Sequence, residues 1–342
     1  MKLNVVVAGA RGVVGREMLR ILAERDFPIG KIAALCSARG AGHQVSFGEN
    51  DVLTLQNIEK FDFSDWDVAL FATSAQDSAK YAPIAAKAGC LVIDNSSHFR
   101  MEHDIPLVIP EVNPKALNKI PRNIVANPNC STAQIALPLK ALHDAFGIER
   151  VVVSTYQSVS GAGKAAMDEL YNQTKKTFVN DEIKAEIFPK QISFNLIPHI
   201  DDFLKDGRTK EEWKMEVEIR KILDPDLRLH ATCVRVPVFI GHSEAVNVTC
   251  KSKPDLKKAR DVLKKMPGII VMDRLEDGGY ITPIDVVGED EVYISRLRLD
   301  PSAENTLSFW CASDNLRKGA ALNAIQIAEY LLAEKKLPLK SK

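Results

Sequence analysis

Residues 3–19 read Leu3-Asn4-Val5-Val6-Val7-Ala8-Gly9-Ala10-Arg11-Gly12-Val13-Val14-Gly15-Arg16-Glu17-Met18-Leu19. A valine-rich strand over 2–8 runs into three glycines spaced three apart, Gly9, Gly12 and Gly15. A segment with apolar residues at helical spacing (Met18, Leu19, Leu22) follows over 16–26. Strand, glycine turn and helix in that order form the first unit of a doubly wound sheet. Glycines in such a turn let the backbone approach a pyrophosphate, and the helix start supplies N–H donors and a favourable dipole. A tight strand–helix turn also needs glycine, so the pattern gains its meaning from its place at the first βα junction.

Working outward, strands are predicted at 32–35, 68–71, 91–93 and 124–126, with a helix at 79–88 closed by Gly89. This alternation through about residue 127 argues for a parallel, doubly wound sheet. The pattern changes after residue 147. Strands are predicted at 151–156, 231–238, 245–251 and 291–299, and helices at about 161–178, 209–223 and 255–266. That describes an α+β domain with a mixed sheet covered on one side by helices. A last helix, about 318–335, follows Asp314-Asn315-Leu316 and is expected to return to the first domain, leaving 335–342 as a solvated end. The expected fold class is α/β: an N-terminal Rossmann-type nucleotide-binding domain at 1–128 plus about 315–335, and a C-terminal α+β domain at 129–314.

Bulk properties narrow the function. At 342 residues, two domains are the default. Forty-five basic residues balance 45 acidic ones, which gives no footprint for nucleic acid or an anionic membrane. No apolar run approaches the roughly 18–20 residues of a membrane span. With a strand predicted at 2–8, no secretory leader is expected. The six cysteines, at 36, 90, 130, 233, 250 and 311, are scattered without a CxxC pair. Reduced thiols and a cytoplasmic location are expected.

The end of the second strand discriminates between dinucleotides. A unit that binds NAD usually carries Asp or Glu there for the ribose 2′-OH. Here the chain reads Leu35-Cys36-Ser37-Ala38-Arg39-Gly40, with an arginine and a hydroxyl in place of a carboxylate. NADP is therefore the expected cofactor. Its candidate residues are Gly9, Arg11, Gly12, Val13, Val14, Ser37, Arg39 and Gly40.

A second informative run is Asn127-Pro128-Asn129-Cys130-Ser131-Thr132-Ala133. Cys130 lies between the strand at 124–126 and a helix predicted over 132–146. Helix N-terminal N–H groups aimed at a sulfur favour thiolate over thiol. Free cysteines are more often buried and inert, but the Asn/Ser/Thr setting favours a reactive one here. Arg235 stands between Val234 and Val236 on a predicted strand, and alternation turns it to the opposite face from both. A buried arginine needs a partner, and either a substrate carboxylate or an internal Asp or Glu satisfies it. Arg100 follows Asp94-Asn95-Ser96-Ser97-His98-Phe99 at the C-terminal side of a strand, where such sheets bind ligands. Glu211 and Lys214 are i,i+3 on a helix, the spacing of a surface ion pair. Gln157 enters a Gly-Ala-Gly loop. His242 falls in a turn between two strands beside Gly241. The seven histidines form no recognised ligand set, so no metal is expected.

Six stretches in order carry a resemblance over nearly the whole chain. They are the glycine loop at 9–15, PNCST at 128–132, QSVSGAG at 157–163, CVRVPV at 233–238, GHSE at 241–244 and SDNLRKGAA at 313–321. Together they resemble the aspartate-β-semialdehyde dehydrogenase family. The resemblance implies reversible conversion of aspartate semialdehyde, phosphate and NADP⁺ into aspartyl-β-phosphate and NADPH, feeding lysine, methionine and threonine synthesis. It implies Cys130 as nucleophile and His242 as acid/base. Gln157 would orient the substrate, Arg235 would bind its α-carboxylate and Glu211 would touch its amine. Arg100, Asn129 and Lys214 would surround the phosphate group. Ser160, Gly161 and Asn315 would contact the nicotinamide end. A homodimer or dimer of dimers through the second domain is expected. Arg11 departs from the small hydroxyl residue expected at its place in many relatives. Other readings on this scaffold are a second acyl-phosphate reductase, a malonyl-CoA reductase, or a non-catalytic NADP(H) sensor. N-acetyl-glutamyl-phosphate reductases typically show Gly-Cys-Tyr where this chain has Asn129-Cys130-Ser131.

Overall fold

The computed structural model describes residues 2–337. It divides into two compact units, one of Met1–Asn129 with Ala320–Lys342 and one of Cys130–Gly319. The first unit opens with β1 (Leu3–Ala8), α1 (Val13–Glu24) and β2 (Ile29–Cys36). A hairpin follows, β3 (Gln44–Phe47) and β4 (Asp51–Thr54), with the short β5 (Gln56–Asn57) after it. Then come β6 (Val68–Phe71), α2 (Ala75–Lys87), β7 (Leu91–Asp94) and β8 (Ile124–Ala126). The main sheet runs β5-β2-β1-β6-β7-β8, with all pairings parallel. Its central strands are buried along their length, as a sheet covered on both faces requires. Strand order reverses between β1 and β6, and ligands bind at such a point, beyond the strands' carboxyl ends.

Several boundaries differ from the sequence pattern. Helix α1 starts inside the glycine motif because Gly12 takes the extended N-cap conformation, with φ −71° and ψ 168°. The hairpin β3–β4 is mostly exposed and its strands are only four residues long; Gln44-Val45-Ser46-Phe47 alternates, but the adjacent Val52-Leu53 breaks the period in its partner.

The second unit begins with α3 (Cys130–Phe146) and β9 (Ile148–Gln157), followed by α4 (Lys164–Phe178), α5 (Lys210–Ile222) and β10 (Arg228–Arg235). It continues with β11 (His242–Cys250), α6 (Leu256–Lys265), β12 (Ile269–Val271), β13 (Val292–Leu299) and β14 (Thr306–Ser313). Its sheet runs β10-β9-β11-β14-β13-β12. The outer pairs β10–β9 and β12–β13 are parallel and the three inner pairs antiparallel, a mixed sheet as expected. Helices α3, α5 and α6 pack on it. Strand β14 is central, yet the pattern does not single out 306–313. Its run of small residues, Cys311-Ala312-Ser313, leads straight into the Asp314-Asn315 turn and blurs the period.

The predicted helix at 318–335 is two pieces, a π turn (Arg317–Ala321) and α7 (Leu322–Ala333). Helix α7 joins the first unit's core through Leu322, Ile325, Ala328 and Leu331. Leu337 is buried in that core too, so the solvated end does not begin at 335; residues 338–342 lie outside the described residues. Among the described residues, no helix is long and apolar enough to cross a membrane.

Candidate active site

In the first unit, a cavity of about 260 Å³ opens at the β1/β6 reversal, and Gly9, Arg11, Gly12, Ser37, Glu59, Thr73 and Asp77 help to line it. Gly9 has φ +81°, and a Cβ there would stand 2.2 Å from the Ala72 carbonyl oxygen. Only glycine lets this turn lie against the end of β6. Helix α1 starts with no side-chain cap and no acidic residue in its first turn. Its bare N–H groups beside the cavity fit an anionic pyrophosphate.

The other expected cofactor residues separate into two sets. Arg11 and Ser37 line the cavity; exposed Arg39, on the single turn Ala38–Gly40, and half-buried Val13 and Val14 do not. Gly40 is buried, and a Cβ there would meet Cys36 Sγ at 2.9 Å and Arg11 Cδ at 3.5 Å, so the glycine leaves room for the Arg11 side chain. No acid follows β2 in sequence. Two acids nevertheless reach the cavity from elsewhere, Glu59 just past the paired edge strand β5 and Asp77 in the first turn of α2. Sequence reasoning misses them because only the β2–β5 pairing and the α2 packing bring them there.

Arg100 and Asn129 are each 7% exposed. The loop that carries Arg100 is fixed by Asp94, whose carboxylate accepts from Ser78 Oγ at 2.7 Å and from Ser96 Oγ at 2.7 Å. Burial pushes the Asp94 carboxyl up, against the pull of these hydroxyls and the Arg100 charge. Arg100 donates to the Asn95 carbonyl at 2.9 Å. Asn129 is the residue before α3.

In the second unit, strand alternation gathers the remaining candidates at one end of the sheet. Gln157 and Arg235 are register partners at the ends of β9 and β10. His242 opens β11, so it is a strand residue and not a turn residue; the turn is at Gly241, with φ +95°. Gln157, Arg235 and His242 are all buried. They converge on the loop after β9: a Cβ at Gly161 would lie 3.0 Å from Arg235 Nη1 and 3.2 Å from His242 Nε2.

The hydrogen bonds of His242 fix its tautomer. The Ser158 backbone N–H donates to His242 Nδ1 at 3.1 Å, and the Ser158 hydroxyl lies 3.0 Å from the same nitrogen. An amide N–H can only donate, so Nδ1 accepts and the neutral ring carries its proton on Nε2. Burial, and then the charge of Arg235, hold the imidazole well below its usual pKa, so it is neutral at pH 7. Among the described residues nothing hydrogen-bonds Nε2, which is buried. The ring therefore offers one N–H donor beside Gly161.

Arg235 donates from Nη1 to the Ser158 carbonyl at 2.8 Å. Burial lowers its pKa, and the charges of Glu211 and Cys130 oppose that shift. Gln157 donates to Glu211 at 3.2 Å, and Lys214 donates to Glu211 at 3.2 Å and to Asp201 at 2.6 Å. The Glu211–Lys214 pair is thus a partly buried relay and not a surface pair. Asp201 is a member that no spacing reveals. Burial pushes its carboxyl up, but Lys214 outweighs that and holds it below the usual range. Asn315 accepts from Gly241 N at 2.9 Å and exchanges hydrogen bonds with Ser160. It ties the turn before His242 to the loop after β9.

Cys130 is itself the first residue of α3, two positions earlier than the sequence pattern suggests. It is half-buried, whereas the other five cysteines are buried and all six are free. Gly319, in the π turn, lies against it: a Cβ there would sit 2.9 Å from Cys130 Cβ and 3.2 Å from its Cα. The sequence hides this contact, since Gly319 reads only as part of a small-residue run. Among the described residues, no group of three or more His, Cys, Asp or Glu could hold a metal ion.

Two family models match the chain. Residues 4–120 match the semialdehyde dehydrogenase, NAD binding domain, and residues 139–318 the semialdehyde dehydrogenase, dimerisation domain. The aspartate-semialdehyde dehydrogenase of Rickettsia bellii is 51% identical over 332 residues, which is 97% of this chain and 98% of that protein. Aspartate-semialdehyde dehydrogenase 2 of Vibrio cholerae is 48% identical over 334 residues, 97% of this chain and 98% of its own. The crystal structure of aspartate semialdehyde dehydrogenase II from Vibrio cholerae complexed with ASA matches with a TM-score of 0.95 at 47% identity, covering 98% of this chain and 99% of that one. Two domain models in order, near-complete coverage by relatives and a shared architecture lead to one assignment: the chain belongs to the aspartate-semialdehyde dehydrogenase family.

Proposed function

We propose that this enzyme converts L-aspartate 4-semialdehyde, phosphate and NADP⁺ reversibly into L-4-aspartyl phosphate and NADPH, with Cys130 as nucleophile and His242, expected as acid/base, acting as N–H donor to the oxyanion. The observation that carries this reading is the meeting of the Arg235 guanidinium and the His242 Nε2–H at Gly161, with Arg235 in the field of Cys130. A cationic fork, an N–H donor and a sulfur at a helix start are what addition to a carboxylate-bearing aldehyde needs. The malonyl-CoA reductase and sensor readings are not needed beside the family assignment.

Cys130 reacts as the thiolate, favoured by the start of α3. Its sulfur bonds to the aldehyde carbon, and the carbonyl oxygen becomes an alkoxide. The His242 Nε2–H donates to that oxygen as charge develops on it. When bound, the nicotinamide supplies the hydride acceptor that turns this alkoxide into a Cys130 thioester. A phosphate oxygen then forms a bond to the thioester carbon, the C–S bond breaks, and the thiolate is regenerated. The proton of the attacking phosphate passes to solvent. In the reductive direction the same Nε2–H meets the oxyanion formed from the thioester.

Arg235 holds the substrate α-carboxylate, Gln157 orients the substrate, and Glu211 receives its amine. The family resemblance assigns the phosphate to Arg100, Asn129 and Lys214. Ser160, Gly161 and Asn315 form the nicotinamide end. NADP is preferred through Ser37 and Arg11, which line the cavity at a strand end with no carboxylate directly after it, with exposed Arg39 on the turn that follows Ser37. A homodimer through the second unit is supported by the dimerisation-domain match and by exposed rings at Phe178, Phe194 and Phe203. Six free cysteines support a cytoplasmic location. The test is NADP⁺ reduction with aspartate semialdehyde, with and without phosphate. Sustained turnover only with phosphate supports the reading, and equal turnover without it sinks the phosphorylating step.

A further inference from the structure

The GHSE motif contains a second buried ionisable group that the chemistry above does not use. Glu244 lies two residues beyond His242 on β11 and is 0% exposed. It pairs in register with Cys311 on β14 and with Thr155 on β9. Its carboxyl meets the first turn of α3, which begins with Cys130. Gln134 Nε2 is 3.3 Å from Glu244 Oε2 and also 3.3 Å from the His242 carbonyl. The Ser131 hydroxyl and the Cys311 thiol lie close enough to the carboxyl to pull its pKa down. Gln134, one turn beyond Cys130 on α3, thus links the Glu244 carboxyl to the His242 backbone.

We propose that Glu244 is a positioning residue whose carboxyl fixes the Cys130 turn of α3 against the His242 end of β11. The proposal rests on the reading of Cys130 and His242 as the reacting pair. The groups around the carboxyl are a thiol, a hydroxyl and an amide, from β14 and α3, with Thr155 beside it on β9. Burial pushes the carboxyl up to about 8, against the pull of Cys311 and Ser131. Below that pH Glu244 is a neutral acid, with one O–H to donate and a second oxygen to accept. That matches a cluster holding both donors and acceptors. Above it the carboxylate loses its O–H donor, and the Gln134 contact that joins α3 to β11 changes with it.

The conservative variants separate this role from mere packing. Glu244→Gln keeps the length, the donor and the acceptor but cannot ionise. Glu244→Asp keeps the acid but falls one methylene short of Gln134 and Ser131. The experiment combines steady-state kinetics with iodoacetamide inactivation between pH 6 and 10, on the full-length parent and both variants, and identifies the labelled peptide. Glu244→Asp should lose at least about 10-fold in kcat while each KM stays within about 3-fold, the signature of lost alignment. Glu244→Gln should hold kcat within about 3-fold of the parent. The parent's alkylation profile should show a second inflection near the Glu244 value of about 8, absent from Glu244→Gln. If Glu244→Asp does not fold, the Glu244→Gln profile decides alone. Glu244→Gln as slow as Glu244→Asp, an unchanged Glu244→Asp, or an inflection that persists in Glu244→Gln each overturns the proposal. Inactivation of the parent without label on Cys130 overturns the nucleophile reading itself, and is seen separately.

Discussion

His242 shows how one hydrogen bond decides a residue's role. Because the Ser158 amide donates to Nδ1, the neutral ring presents a proton at Nε2 and not a lone pair. A thiolate that attacks as such needs a donor at the developing oxyanion more than it needs a base. The two roles predict different rankings of variants. A glutamine at 242 reaches far enough to place its amide N–H near the Nε2 position, whereas an asparagine reaches only the Nδ1 position. His242→Asn should lower kcat by about 10²–10³, and His242→Gln should recover about 10-fold of that loss, both with small changes in KM. Equal losses in the two variants would return His242 to the role of proton acceptor. The sequence shows that residue 242 is a histidine beside a glycine turn; it cannot show the tautomer, because Ser158 lies on another strand's loop.

At the scale of elements, what the sequence discloses follows from locality. The β1–α1 glycine turn and the Cys130 strand-to-helix junction are contiguous, and both elements form close to where the pattern puts them. Period-2 alternation also turns Arg235 inward, onto the same face as its register partner Gln157. The Glu211–Lys214 spacing suggests a pair, but Asp201 and Gln157, which complete it, come from other segments. Gly319 is the sharpest case, since its importance exists only where the π turn meets α3. A methyl group at 319 would press on the Cys130 Cβ and Cα, and a backbone atom cannot yield cheaply. Gly319→Ala should cut kcat about 10-fold or more through displaced sulfur, with cofactor KM nearly unchanged. A variant that retains full kcat would show that the nucleophile turn tolerates the shift.

For the molecule as a whole, two groups buried at one sheet end give opposite slopes of stability with pH. His242 is held below its usual value, so between that depressed value and about 6.5 the unfolded chain binds the proton that the folded one refuses. That contribution is lost as pH falls below 6.5 and is fully present above it. Glu244 is raised to about 8, so between about 4.5 and 8 the folded chain holds a proton that the unfolded one releases. Stability therefore declines as pH rises through that window, and above 6.5 this decline stands alone. From pH 6.5 to 8 it amounts to about 2 kcal/mol, at roughly 1.4 kcal/mol per pH unit for one proton. Urea unfolding at pH 6.5 and 8 should show that fall in the parent and little of it in Glu244→Gln. A parent equally stable at both pH values would mean that Glu244 does not carry its proton into neutral solution.

The central claim is that the acyl group passes through the sulfur of Cys130. It is tested most directly by mixing the enzyme with aspartate semialdehyde and NADP⁺ in phosphate-free buffer, quenching in acid, and mapping the adduct by mass spectrometry. The account predicts one aspartyl group on the peptide that contains Cys130, lost when phosphate is added before the quench. It also predicts no such adduct on Cys36, Cys90, Cys233, Cys250 or Cys311, all of which are buried. An unmodified Cys130 peptide during active turnover, or the acyl group on any other residue, would contradict it.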